Sequence, residues 1–206
     1  MKYGKMLAGS TLAGLCIGLG GAVFLALDSK IAGALFFTLG LFTICTRGLL
    51  LFTGKVGYAL DNPPSYLLEL AVIWVGNLIG TNLVAYALRA TRVCAAYAEK
   101  AAGMCAVKAG DSLLSLFLLG VFCNILMFIA VDGFRTNAHE IGKYIGLFLG
   151  VSVFILAGFE HCVADMFYFG MANAWSADML VRLLVITAGN AVGGLLIPAA
   201  EKLYKA

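Results

Sequence analysis

The sequence predicts an all-α integral membrane protein of six transmembrane helices, built as two inverted three-helix repeats in which the second and fifth helices are broken. Composition is the first observation behind this reading. Of 206 residues, 62% are hydrophobic and only 12% are charged, with a mean hydropathy of +0.98; an ordinary soluble domain carries about 25% charged residues. The second is spacing. The stretches 6–27, 70–88, 112–131 and 183–200 contain no charge, and each approaches the roughly 20 residues a helix needs to cross about 30 Å of hydrocarbon. The third is a pair of further apolar regions, 31–60 and 141–177, interrupted by Arg47, Lys55, Glu160, His161 and Asp165.

Taken in order, the segments run at about 6–28, 31–59, 66–88, 111–131, 141–171 and 178–201. Lys2 and Lys5 precede the first, as in a secretory signal, but 6–27 exceeds the 7–15 residues of a signal core, and no small-residue cleavage site follows. It is expected to remain as a span. Asp61-Asn62-Pro63-Pro64 ends the second segment and Asp132-Gly133 the fourth. The mixed polar stretch from Arg89 to Gly110 reads as a connection holding a short surface helix. No separate soluble domain is expected: 1–206 is one transmembrane channel domain, with repeat one at about 1–88 and repeat two at about 111–206.

The repeat shows when the third and sixth segments are compared. Gly76-Asn77-Leu78-Ile79-Gly80 matches Gly189-Asn190-Ala191-Val192-Gly193 at an offset of 113. A duplicated unit of three spans must enter the membrane from opposite sides, which gives a pseudo-two-fold axis in the membrane plane, a common transporter architecture. The same comparison aligns 48–56 with 158–169, and corresponding breaks in two halves point to a midplane binding site. Irregular backbone at membrane depth survives only where protein or a water-filled cavity satisfies it. Most glycines, including Gly76 and Gly80, are read as close helix contacts, with Gly54 and Gly158 assigned to the breaks.

Net charge is +3, with the cationic residues scattered, so a nucleic-acid surface is not expected. The six cysteines form no C-x-x-C pair and lie mostly in apolar runs, which makes them small buried hydrophobes. Gly158-Phe159-Glu160-His161-Cys162-Val163-Ala164-Asp165 places three ionisable groups inside a span. A charge at the bilayer centre costs about 2.5–3.5 kcal/mol or more, so these groups are functional candidates. Leu51-Phe52-Thr53-Gly54-Lys55 combines a hydroxyl, a flexible glycine and a cation in the other break.

These motifs, with Cys123-Asn124, Met166-Phe167 and Gly189-Asn190, resemble the formate/nitrite transporter family of pentameric anion channels, which also has hydrosulfide and lactate-type members. The resemblance covers nearly the whole chain. It implies an aquaporin-like fold, a homopentamer with one pore per protomer, and no cofactor. His161 is similar to the family's pore histidine and Thr53 to the threonine facing it. Glu160 would stand behind the histidine, with Asn124 and Asn190 as polar support. Phe37, Leu41 and Phe154 fall where the family has its apolar slits, and Lys108 resembles a vestibule lysine. Three positions depart from the family: Leu50 where an acid is usual, Lys55 where a small polar residue is common, and Asp165 where asparagine is common. Opposite charge and corresponding positions suggest that Lys55 and Asp165 pair across the breaks, the other reading being that Lys55 faces the pore as an anion site.

The function so implied is a membrane channel for small monovalent anions or their conjugate acids. Formate and nitrite come first, with hydrosulfide or another small monocarboxylate such as lactate as the alternative. A multi-pass protein of the cytoplasmic (inner) membrane, with both termini cytoplasmic, is the expected setting. A cationic vestibule would gather anions, and slits of Phe and Leu would make a bare anion costly to desolvate, which raises the affinity of a weak acid for its proton. An intramembrane enzyme is the first rival. Zinc would need three or four ligands, yet the second histidine, His139, lies in a polar loop. An accessory membrane subunit is the other rival, and it predicts no duplicated breaks.

Overall fold

In the computed structural model, which describes residues 1–205, the chain is helical throughout, and six of the described helices are long and apolar enough to cross a membrane. They are α1 (Lys2–Ala26), α2 (Lys30–Arg47), α4 (Tyr66–Arg89), α6 (Leu113–Thr136), α7 (Glu140–Ala157) and α9 (Ala177–Tyr204). Shorter elements complete the two interrupted segments: α3 (Phe52–Lys55) continues into a 3-10 turn (Val56–Asp61), and α8 (Cys162–Ala172) follows the second break. Serine side chains cap α2, α6 and α9: Ser29, Ser112 and Ser176 accept from the amides of Ala32, Ser115 and Met179, which satisfies backbone donors that a helix start otherwise leaves free.

In the stretch 89–110 the expected short surface helix is present but longer and partly buried. It holds α5 (Cys94–Gly110), a helix of 17 residues packed against α8. Its buried face carries Ala101, Cys105 and Lys108, and its alanine-rich remainder is too polar to register as a span.

Glycines set the helix spacing. On the α1/α4 seam, a side chain at Gly76 or Gly80 would collide with α1 around Leu7, Ser10 and Thr11; on the α6/α9 seam, one at Gly189 or Gly193 would collide with the carbonyls of Phe117 and Val121. Leu7 and Thr11 precede Phe117 and Val121 by 110 residues, while the glycines are 113 apart. The two halves are therefore equivalent at an offset of 110 up to the breaks and 113 beyond. Trp74 Nε1 donates to Thr187 Oγ1 at 3.2 Å, and these two residues occupy the same position in each half, so the axis relating the halves passes between them. Large apolar side chains such as Leu12, Leu19, Phe36, Leu39, Phe122 and Leu149 remain on the outside, as lipid or a neighbouring protomer requires.

Candidate functional site: two breaks facing each other

Both breaks begin at a left-handed glycine. Gly48 (φ 64) ends α2 and Gly158 (φ 75) ends α7. Residues with a Cβ adopt this conformation at a cost that glycine does not incur. The first break thus turns at Gly48, where Gly54 was expected; Gly54 lies inside α3. Past each glycine the freed backbone is caught in the same pattern. Leu49 and Phe159 donate to the carbonyls of Ile44 and Phe154 at 2.9 and 3.0 Å, and Leu50 and Glu160 to those of Gly9 and Leu119 at 3.5 and 3.3 Å.

One asparagine then clamps each break. Asn77 Oδ1 accepts from the Phe52 amide at 2.8 Å, and its Nδ2 donates to the carbonyls of Ser10 (2.8 Å) and Leu50 (2.9 Å). Asn190 Oδ1 accepts from the Cys162 amide at 2.9 Å, and its Nδ2 donates to Gly120 and Glu160, both at 2.8 Å. Asn124 Nδ2 donates to the Asn190 carbonyl at 2.6 Å. The sequence displayed Asn77 in its repeat with Asn190, yet only Asn190 was singled out as a site residue.

The clamps bring His161 and Thr53 together. His161 is 2% exposed and Thr53 1%, and Nε2 lies 2.9 Å from Thr53 Oγ1. The Ala164 amide donates to Nδ1 at 3.1 Å. An amide can only donate, so Nδ1 is the acceptor and a neutral ring carries its proton on Nε2. Nε2–H therefore donates to Thr53, whose own hydroxyl hydrogen is free for another acceptor. Phe154 stacks on the imidazole with ring centres 5.5 Å apart and meets Phe37 edge-on at 6.5 Å. Phe37 and Leu41 follow one another by a turn on the same face of α2, both buried.

A cavity opens on either side of these residues. The one away from the chain ends has a volume of about 310 Å³ and is lined by Phe37, Phe154, His161, Lys108, Glu160 and Asp165, with Lys30 at its rim. The one towards the chain ends, about 370 Å³, is lined by Leu41, Leu51, Lys55, Arg135 and their apolar neighbours. Lys30 and Arg135 carried no signal in the sequence that marked them.

Lys55 and Asp165 do not pair. They stand 110 residues apart at equivalent positions of the two halves, but Asp165 lines the cavity away from the chain ends and Lys55 the one towards them. Asp165 instead lies with Oδ1 3.0 Å from Lys108 Nζ, and the same ammonium donates to Glu160 Oε2. Among the described residues, no carboxylate forms an ion pair with Lys55 or Arg135. Lys108, which resembles a vestibule lysine, lines the cavity away from the chain ends, is 7% exposed and is shared by two carboxylates.

Six apolar spans thus hold two facing breaks that meet at a buried polar pair, with a cavity on either side. The chain matches the formate/nitrite transporter family model over residues 1–204 and belongs to that family. It is 29% identical to a probable formate transporter of Methanothermobacter thermautotrophicus, over 98% of this chain and 88% of that one. It is 25% identical to the formate channel FocA of Haemophilus influenzae, over 81% and 70%. The solved structure of a pentameric formate channel with formate bound superposes with a TM-score of 0.83 at 24% identity, covering 99% of this chain and 97% of that one.

Proposed function

We propose that the chain is a single channel domain that conducts small monovalent anions, formate and nitrite foremost, through the path lined by Lys55, Leu41, Thr53, His161, Phe37 and Phe154. One observation carries the reading. The Thr53–His161 hydrogen bond is buried between two cavities, one lined by Leu41 and the other by Phe37 and Phe154, residues suited to form apolar constrictions.

An anion reaching the proximal cavity meets Lys55 and Arg135, whose charges raise its local concentration. Beyond Leu41 water is stripped away, and desolvation of a charge in an apolar passage is expensive. Two features lower that cost. The free Thr53 hydroxyl hydrogen offers a bond to the anion's oxygen, and desolvation strengthens the hold of a weak acid on a proton, so the species best suited to the Phe37/Phe154 ring is the neutral acid. The positions of Asn77, Asn190, Asn124 and Glu160 suit them to holding the breaks and orienting His161.

The family and the pentameric neighbour support a homopentamer with one pore in each protomer. Lys2, Lys5, Arg47, Lys55, Arg135, Lys143, Lys202 and Lys205, eight of the fourteen Lys and Arg, lie towards the face of the chain ends, and the positive-inside tendency favours a cytoplasmic location for that face in a cell's inner membrane. The substrate test is competition flux. Vesicles containing the protein are expected to take up labelled formate faster than empty vesicles, with nitrite competing best and hydrosulfide and lactate less well. Uptake equal to that of empty vesicles for every one of these anions overturns the proposal.

A further inference from the structure

We propose that Lys108, Glu160 and Asp165 form a proton-binding site, holding one titratable proton between the two carboxyls and so setting the charge that an anion meets in the distal cavity. The geometry supplies the argument. One ammonium is bracketed by Glu160 Oε2 and, at 3.0 Å, by Asp165 Oδ1. All three side chains are at most 8% exposed. Fully ionised, the trio would bury an uncompensated negative charge, which a membrane interior penalises heavily. One proton on the pair of carboxyls removes that excess charge.

The second observation is an unpartnered atom. Asp165 Oδ2 is buried and has no hydrogen-bond partner among the described residues, while Asp165 itself is 2% exposed and lines the cavity. A carboxylate oxygen left bare there is costly, whereas a proton on the same atom can be shared with the neighbouring Glu160 carboxyl. The surrounding charged and titratable groups do not replace that proton. Lys30 on α2 stands at the cavity rim, with its Nζ on the Leu156 carbonyl at 3.1 Å. Arg182 on α9 is held by Asp178 and by the carbonyls of Lys108 and Asp111. On α4, Arg89 donates to the Gly170 carbonyl. The other titratable neighbours are His161, Cys162 and Tyr168 flanking Asp165, Cys105 on α5 and Cys123 on α6.

Loaded, the trio is neutral and Lys30 leaves the distal cavity attractive to anions. Unloaded, it is negative and repels them. The site thus makes anion entry from the distal side depend on pH through a group of the protein, separately from the protonation of the substrate.

The inference rests on the channel reading only for its flux arm, so two measurements are paired. Infrared difference spectra of the reconstituted wild type between acid and alkaline buffer, in H2O and D2O, are expected to show a carboxylic-acid C=O band that disappears in Asp165→Asn. Absence of the band in the wild type, or its persistence in both Asp165→Asn and Glu160→Gln, overturns the proposal. Where Asp165→Asn does not fold, Glu160→Gln removes the same excess charge and is expected to abolish the same band. Sodium or potassium ions that raise the melting temperature of the wild type but not of Asp165→Asn would place a cation on Oδ2 and overturn the proton. In the flux arm, formate entry from the distal side is expected to fall by up to about tenfold per pH unit above the site's titration, so the ratio of mutant to wild-type rate rises with pH; a constant ratio overturns the coupling. A wild-type band with no flux of any anion means that the proton site stands and the channel reading fails.

Discussion

Replacing Asn190 by alanine tests the construction of the pore from the smallest change. The Asn190 side chain makes three hydrogen bonds, one accepted from the Cys162 amide and two donated to the carbonyls of Gly120 and Glu160. Truncation leaves the Cys162 amide and the Glu160 carbonyl unpaired in a buried region, while the Gly120 carbonyl keeps its bond within α6. An unsatisfied buried group costs about 1–3 kcal/mol and a lost ordinary hydrogen bond about 1 kcal/mol, so the loss comes to about 3–7 kcal/mol before relaxation, comparable with the whole stability of many domains. Asn77→Ala removes the equivalent three bonds at the other break and should cost a similar amount. Asn124→Ala removes only the bond to the Asn190 carbonyl, because Asn124 Oδ1 is already without a partner among the described residues, and should cost about 1 kcal/mol. For a chain of this length 1 kcal/mol corresponds to a melting shift of about 2–4 °C. The assay is thermal unfolding in detergent followed by a tryptophan or thiol probe. Asn190→Ala and Asn77→Ala should each melt at least about 6 °C below the wild type, and Asn124→Ala within about 4 °C of it. Equal melting temperatures for all three variants would refute the clamp.

Other outcomes follow from the same geometry. Phe154→Ala removes the ring stacked on His161 and lining the distal slit; it should speed uptake and admit larger monocarboxylates while destabilising the fold by about 3–5 kcal/mol, and a folded variant with unaltered rate and selectivity would take Phe154 out of the path. Lys55→Met should raise the half-saturating anion concentration several-fold at low salt, with the difference shrinking as ionic strength rises; a salt-independent effect would point to packing instead. Asp28, in the α1–α2 turn, has its carboxyl held below the usual carboxylate range by its hydrogen bond and charge interaction with Lys100 on α5. A depressed folded-state value stabilises above the unfolded value of about 3.9 and loses that contribution as pH falls through the lower folded one. Hydrogen exchange in the 27–30 turn should therefore accelerate only below about pH 4, and not additionally so in Asp28→Asn.

Hydropathy was enough to place the six spans, because length and apolarity are read directly from composition. What periodicity could not supply was backbone conformation. Gly54 stands nearer the polar residues of the first break, but the positive φ belongs to Gly48, and nothing in a string of letters distinguishes a glycine that turns from one that packs. The repeat was visible in Gly76-Asn77 and Gly189-Asn190, yet its single offset of 113 hid the 110 that relates the earlier elements. Lys55 and Asp165 looked like partners because they carry opposite charge at corresponding positions, yet correspondence is not contact, and the two line different cavities. Lys108 stood in a stretch read as a polar connection, so its burial against Glu160 and Asp165 had no local signal; only the packing of α5 on α8 creates it. His161 and Thr53, by contrast, were conspicuous as polar residues inside apolar runs, a signal that arises because a membrane interior makes every such residue costly.

The central claim is that small anions cross through the gap bridged by His161 and Thr53. Stopped-flow formate uptake into vesicles carrying equal amounts of wild-type protein or of Thr53→Val measures it most directly, since valine keeps the shape of the side chain and removes only the hydroxyl that accepts from Nε2 and offers its hydrogen to the path. A lost interaction of about 1.4 kcal/mol in the transition state for passage slows flux tenfold, and a hydrogen bond to a charged group is worth about 1.5–3 kcal/mol. Wild-type vesicles should therefore fill faster than empty ones, and Thr53→Val vesicles at least about tenfold more slowly than wild type; wild-type and Thr53→Val vesicles filling at the same rate would place the path elsewhere and contradict the account.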